Sequence, residues 1–130
     1  MNQTTTIQFL NGVPLFSQFK PGELRLLVEA ADQRAFEAGN YIIRENVVGD
    51  EFFLVLEGAV EVRKGEEPLA VLRAGQFFGE MVFLDDAVRS ADVVALERTR
   101  CLTLTSGLLH ELILTHPDMA LKMLAELSRR

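Results

Sequence analysis

Five glycines, Gly39, Gly49, Gly58, Gly65 and Gly75, punctuate the middle of the sequence at spacings of seven to ten residues. The runs between them are too short for helices of ordinary length and are rich in Val, Leu and Phe. In Val60-Glu-Val62 and Leu69-Ala-Val71 every second side chain is strongly apolar. Short β-rich runs separated by turn residues at this interval specify a small antiparallel sandwich or barrel. The alternation predicts one inward face for each strand. The predicted strands are Arg34–Glu37, Tyr41–Arg44, Glu51–Glu57, Ala59–Lys64, Leu69–Arg73, Ser90–Leu96 and Cys101–Thr105.

On both sides of this region the period becomes helical. The segment Pro21–Ala31 opens with proline and carries Leu24, Leu27, Val28 and Ala31 on one face. After Ser106, Leu109, Leu112 and Ile113 mark a helix face whose next position is His116, and the helix is expected to stop before Pro117. A second helix runs from Pro117 with Leu121, Leu124 and Leu127 on one side. Met1–Gln8 is polar and reads as a loose lead-in. The order is a helix, a Gly-punctuated β-roll over 33–105 and two helices over 106–130, which is the α+β class. With 130 residues the chain fits one domain, taken as 13–130 after a lead-in at 1–12.

Composition removes several function classes. With 13 Lys+Arg against 19 Asp+Glu the net charge is −6. General affinity for nucleic acid rests on cations neutralising phosphates, so direct nucleic-acid binding is not expected, nor is an electrostatic membrane anchor. A single anionic small molecule stays open, because one buried Arg near a helix start can hold it whatever the net charge. The longest apolar run, Phe52–Leu56, falls far short of the ~20 residues of a membrane span. No Lys or Arg precedes Lys20, so no basic-start secretory signal is read, and the cytoplasm is the expected compartment. One cysteine, Cys101, excludes an intramolecular disulfide framework and a four-cysteine metal site; it reads as a small buried hydrophobe. His110 and His116 are six apart and do not share a helix face as a metal pair would. No Ser or Thr has a recognisable base–acid partner. The expectation is a non-enzyme with no cofactor and no metal.

One segment breaks the β rhythm: Gly75-Gln-Phe-Phe-Gly-Glu-Met-Val-Phe-Leu-Asp-Asp-Ala-Val-Arg-Ser-Ala91. It is too short for a full helix and too apolar for a surface loop. Gly79 frees the backbone to turn tightly, and Glu80–Leu84 suits one or two helical turns. A helix start offers unpaired amides and the positive end of a dipole to an anion. Arg89, nine residues beyond Glu80, is placed to complete such a cradle with charge-assisted hydrogen bonds. Glu80, a carboxylate among apolar neighbours, needs a cation or hydrogen-bond donors if buried. From these residues alone two readings stand: an anion site with hydroxyl recognition, or a Glu80–Arg89 pair tying down a loop.

Phe78-Gly-Glu-Met-Val-Phe-Leu84 followed by Arg89-Ser-Ala91 resembles the phosphate-binding cassette of cyclic nucleotide-binding domains. Val13-Pro-Leu-Phe-Ser17, Phe36-Glu-Ala-Gly39, Gly49-Asp-Glu-Phe-Phe53, Gly58-Ala-Val-Glu-Val62, Leu72-Arg-Ala-Gly75 and Leu112-Ile-Leu-Thr-His-Pro117 resemble that family's other signature stretches, in the same order. The resemblance covers roughly residues 13–127. It implies an antiparallel β-roll, a jelly-roll-like double-stranded β-helix, with an N-terminal helix, a short cassette helix and C-terminal helices. It also implies a sensor of cAMP or cGMP that signals through its C-terminal helices, the short helix moving inward and the last helix repacking over the base.

By position, the resemblance implies that Glu80 accepts the ribose 2′-hydroxyl and Arg89 pairs with the exocyclic phosphate oxygens. The amides of Gly79, Glu80, Met81 and Val82, after Phe78, would cap the phosphate. Ser90 stands where a hydroxyl reaches the phosphate or a guanine amino group, and Val62 and Leu69 would line the base. The sequence departs from the family pattern at Val82, where a small residue is usual and a β-branched one would crowd the ligand. Val88 replaces a frequent Pro, and Asn40 a frequent Glu. Two other readings stay open: a ligand-free domain for interaction or dimerisation, and a truncated transcription regulator. The leucine stripe after Pro117 would either pack on the roll or pair with a second copy in a homodimer.

Overall fold

The computed structural model describes residues 2–80 and 89–128. The expected cassette helix beyond Glu80, with Met81, Val82 and Phe83, lies outside the described residues, as does the side chain of Leu109. The chain forms two compact units, a β-roll over Gln33–Thr103 and a helical unit drawn from both ends, up to Asp32 and from Leu104 onward.

The roll consists of two four-stranded sheets. One has the order β1 (Asp32–Phe36), β8 (Thr99–Thr105), β3 (Glu51–Glu57), β6 (Phe77–Phe78); the other has β2 (Tyr41–Ile43), β7 (Asp92–Ala95), β4 (Ala59–Lys64), β5 (Glu67–Arg73). The pairs β2–β7, β7–β4, β4–β5 and β3–β6 run antiparallel. Cross-strand partners share a face, so Val60 lies beside Leu72 and Ala95, and Val62 beside Ala70 and Val93. This face meets Ile43, Phe53, Val55, Phe78 and Cys101 in one buried cluster. Between β3 and β4 the chain passes from the first sheet to the second through a single residue, Gly58. Its φ is +97°, and a Cβ there would stand 2.5 Å from the Arg98 carbonyl oxygen. Only glycine combines that conformation with that approach.

β3 and β4 coincide with their predicted bounds, and the other predicted strands differ by one to three residues at their ends. Two readings change. Phe77–Phe78, expected inside the irregular segment, forms the two-residue strand β6 against Phe53 and Leu54. The apolar alternation of Leu69 and Val71 does not point inward: they are 53% and 43% exposed, and in β5 only Leu72 is buried. The cause is the phase of the strand: Val60 pairs with Leu72 and Val62 with Ala70, so Leu72 and Ala70 take the inward face and Leu69 and Val71 the outer face of an edge strand.

In the helical unit, the stretch expected as a loose lead-in is helical from Gln3. Asn2 Oδ1 accepts from Thr5 N at 2.8 Å and caps helix α1 (Gln3–Asn11), whose Thr6 and Leu10 are buried. Helix α2 (Pro21–Ala30) buries Leu24, Leu27 and Val28, as expected. Helix α3 (Ser106–Thr115) ends at His116, before the proline that starts α4 (Pro117–Leu127). The buried face of α4 is Met119, Ala120, Met123 and Leu127, not Leu121, Leu124 and Leu127. Leu121 is 63% exposed, and Ile113 on α3 is also exposed where burial was expected. Glu23 Oε1 accepts both from Lys20 N and from Lys122 Nζ, each at 2.8 Å, and so ties α2 to α4. Among the described residues no helix is long and apolar enough to cross a membrane.

Candidate functional site

Phe78, on β6, is buried and stacks on Phe53 with ring centroids 5.0 Å apart and planes 9° apart. That packing fixes the chain just before it turns. Gly79 makes the turn at φ +80°, with the Glu51 carbonyl oxygen 3.0 Å from where a Cβ would be. Glu80 follows, half-buried.

Arg89 is 8% exposed, and the other arginines among the described residues lie nearer to water. Its backbone is held on both sides by the loop after β2. Asn46 N donates to Arg89 O at 2.8 Å, and Arg89 N donates to Val47 O at 3.1 Å. Asn46 sits at φ +67° to allow this, a conformation Asn tolerates better than most residues. The guanidinium donates from Nη2 to Glu51 O at 2.6 Å and from Nη1 to Gly79 O at 3.3 Å. Each of those nitrogens carries a second N–H, and Nε a fifth. Burial pulls the Arg89 guanidinium below its ordinary value, while the carboxylates of Glu51, Asp50 and Glu80 work in the other direction. The group stays a cation, close to three carboxylates, in a site that has left most of the water behind.

The expected site residues therefore divide. Phe78, Gly79, Glu80 and Arg89 come together: Arg89 touches Gly79, and Glu80 acts on it electrostatically. Ser90 is exposed beside Arg89. Val62 is half-buried and pairs across the strands with Ala70, whereas Leu69, the residue before Ala70, is 53% exposed, so these two base-lining candidates are not brought together. Met81 and Val82 lie outside the described residues. The Arg89 side chain donates to backbone carbonyls. Carbonyls carry no sequence signature, and Glu51 is 38 residues away. Gly49, Asp50 and Glu51 entered the sequence reading as a turn glycine, a strand start and part of a resembling stretch, not as site residues; the structure makes all three neighbours of the arginine.

Three other polar residues were weighed in the sequence. His110 and His116 are exposed on the helical unit. Cys101 is fully buried in the roll, and burial pushes its thiol up to about 12. Among the described residues no group of three or more His, Cys, Asp or Glu is close enough to hold a metal ion.

Comparison with known proteins agrees with this geometry. Residues 33–116 match the family model described as "Cyclic nucleotide-binding domain". A cAMP-dependent protein kinase regulatory subunit of Emericella nidulans is 43% identical over 89 residues, which cover 67% of this chain and 22% of that protein. A cGMP-dependent protein kinase, isozyme 1, of Drosophila melanogaster is 33% identical over 107 residues, 76% of this chain and 14% of that protein. The chain thus spans less than a quarter of the length of either relative. The crystal structure of the Thermus thermophilus catabolite activator protein superposes with a TM-score of 0.80 at 34% identity, covering 90% of this chain and 57% of that one.

Proposed function

The chain belongs to the cyclic nucleotide-binding domain family, and on that premise we propose that it is a regulatory sensor of cAMP or cGMP. The observation that carries the reading is the buried Arg89 guanidinium, fixed beside the Gly79 turn by two backbone carbonyls. A cyclic phosphodiester bears one negative charge, and one guanidinium answers it with paired N–H donors. The carboxylates of Glu51, Asp50 and Glu80 near that guanidinium leave no surplus positive charge, so an anion is held there by the directed N–H donors of Arg89, and a polyphosphate is disfavoured.

In this reading Arg89 pairs with the exocyclic oxygens, and the amides of Gly79, Glu80, Met81 and Val82 cap the phosphate. Glu80 accepts the ribose 2′-hydroxyl. Ser90 reaches the phosphate or a guanine amino group, and Val62 and Leu69 contact the base. Occupancy is relayed through α3 and α4, to the extent that the ligand binds one arrangement of them more tightly than another. A homodimer through the C-terminal helices draws support from Leu114 and Leu121, 83% and 63% exposed. Light-scattering mass of the purified chain, monomer or twice that, tests it.

Calorimetric titration with cAMP and with cGMP tests the sensor itself. Saturable binding is expected, weakened by Arg89→Ala about 10- to 150-fold, the value of a hydrogen bond to a charged group. At ~100 times its dissociation constant the ligand should add about 2.7 kcal/mol of stability. No heat from either nucleotide at millimolar concentration would overturn the proposal and leave the ligand-free interaction domain.

A further inference from the structure

Gly49 has no backbone reason to be glycine, since its φ lies outside the left-handed region. The reason lies in what faces it. A Cβ built there would stand 2.5 Å from Arg89 Nε, 2.7 Å from Nη2 and 2.9 Å from Cζ; these are the three nearest atoms, and all belong to one side chain. Real Cβ atoms do not approach that closely, so a side chain at 49 and this position of the guanidinium exclude each other. Gly79 makes the same allowance at the other terminal nitrogen, where a Cβ would stand 3.1 Å from Nη1.

Arg89 cannot yield cheaply. Its backbone is pinned through Asn46 N and Val47 O. Any rotation of the side chain must break Nη2 from Glu51 O or Nη1 from Gly79 O, and the group is buried, so water does not replace those partners. We propose that Gly49 is a positioning residue of the anion site: its bare Cα is the surface on which the Arg89 guanidinium lies, and it sets how deep that cation sits. A methyl at 49 lifts the guanidinium off the two carbonyls and into the space intended for the anion. The inference rests on the sensor reading for its effect on ligand affinity, but not for its effect on Arg89.

The test uses Gly49→Ala in the full chain and has three readouts. In ¹⁵N NMR without ligand, the Arg89 Nε–H resonance, identified by its loss in Arg89→Lys, should move and exchange faster with water in Gly49→Ala. Gly22→Ala, where a Cβ meets nothing within 4 Å, should leave it in place. In thermal melts Gly49→Ala should lower Tm by several degrees, whereas in an Arg89→Ala background, with the obstructing side chain gone, the same change should be neutral. In calorimetry the affinity for the cyclic nucleotide should fall at least about tenfold, while adenosine or guanosine, which lack the phosphate, should bind as they do to wild type. An unmoved Nε–H resonance, an equal loss of Tm in both backgrounds, or a cyclic nucleotide affinity unchanged by Gly49→Ala overturns the proposal. If wild type binds no cyclic nucleotide, the sensor reading fails by itself, and the resonance and the melting cycle still decide whether Gly49 positions Arg89.

Discussion

Replacing Gly58 by alanine should be among the most damaging single-methyl changes available to the roll. Two costs add. At φ +97° a residue with a Cβ carries about 1–3 kcal/mol of backbone strain. The methyl would also stand 2.5 Å from Arg98 O, 2.6 Å from Thr99 Oγ1 and 2.8 Å from Thr99 Cα. Backbone atoms cannot swing aside, and Thr99 is itself fully buried, its hydroxyl within bonding distance of the carbonyls of Glu97 (2.9 Å) and Ala59 (3.2 Å). Overpacking of this kind costs about 1–3 kcal/mol. The sum, about 2–6 kcal/mol, is a large part of the roughly 5–15 kcal/mol a domain has. At roughly 4 °C per kcal/mol for a chain of this size, Tm should fall by about 8–24 °C in calorimetric or circular-dichroism melts. Gly65→Ala isolates the backbone part: φ is +61°, but nothing lies within 4 Å of its Cβ, so it should cost about 1–2 kcal/mol. If Gly58→Ala melted within about 2 °C of Gly65→Ala, the argument from the crossing would be wrong.

Three further outcomes are expected. Hydrogen bonding to Lys122 holds the Glu23 carboxyl below its ordinary 4.5; a depressed folded value stabilises above the unfolded one and loses that stabilisation as pH falls through it. Glu23→Gln should therefore cost about 1 kcal/mol at neutral pH and nothing at pH values well below 4.5; a pH-independent cost in urea melts would contradict this. With its thiol pushed up to about 12, Cys101 should resist aromatic disulfide reagents at pH 8 in the folded chain and react once unfolded, and stoichiometric labelling of the native protein within seconds would sink the assignment. Phe53→Ala, which removes a ring stacked 5.0 Å from Phe78, should cost about 3–5 kcal/mol in denaturant titrations; a cost below 1 kcal/mol would mean the two rings do not share a packed core.

What could be read from the sequence was whatever repeats or takes an unusual residue type. The glycine spacing marks the roll because left-handed turns at Gly39, Gly58, Gly65 and Gly75 admit little else. Arg89 was legible as a site candidate because it follows the one segment that breaks the β rhythm, although from the residues alone a Glu80–Arg89 pair tying down a loop stood beside the anion reading. The faces of α4 were misread because the leucines were followed and Met119 and Met123 were not, although Met packs as well as Leu. The first helix was hidden by three consecutive threonines, whose β-branched side chains weaken helix propensity; Asn2 as a cap was the signal that was missed. Leu69 and Val71 were assigned inward because they are the larger side chains of that alternation, but the strand is phased by Leu72 and Ala70 opposite Val60 and Val62, a pairing that composition does not show. The carbonyls that hold Arg89 belong to the backbone, so only the folded chain reveals them.

The two ends of the cassette are fastened separately. One is held by the Phe78–Phe53 stack and the other by the paired bonds between Arg89 and the loop at Asn46 and Val47. Both fastenings belong to residues outside 81–88, so the frame that carries the arginine owes its bonds to the roll. Changes of sequence within 81–88 leave those bonds in place. Grafting 81–88 from a relative should therefore leave the melting temperature of the roll almost where it was.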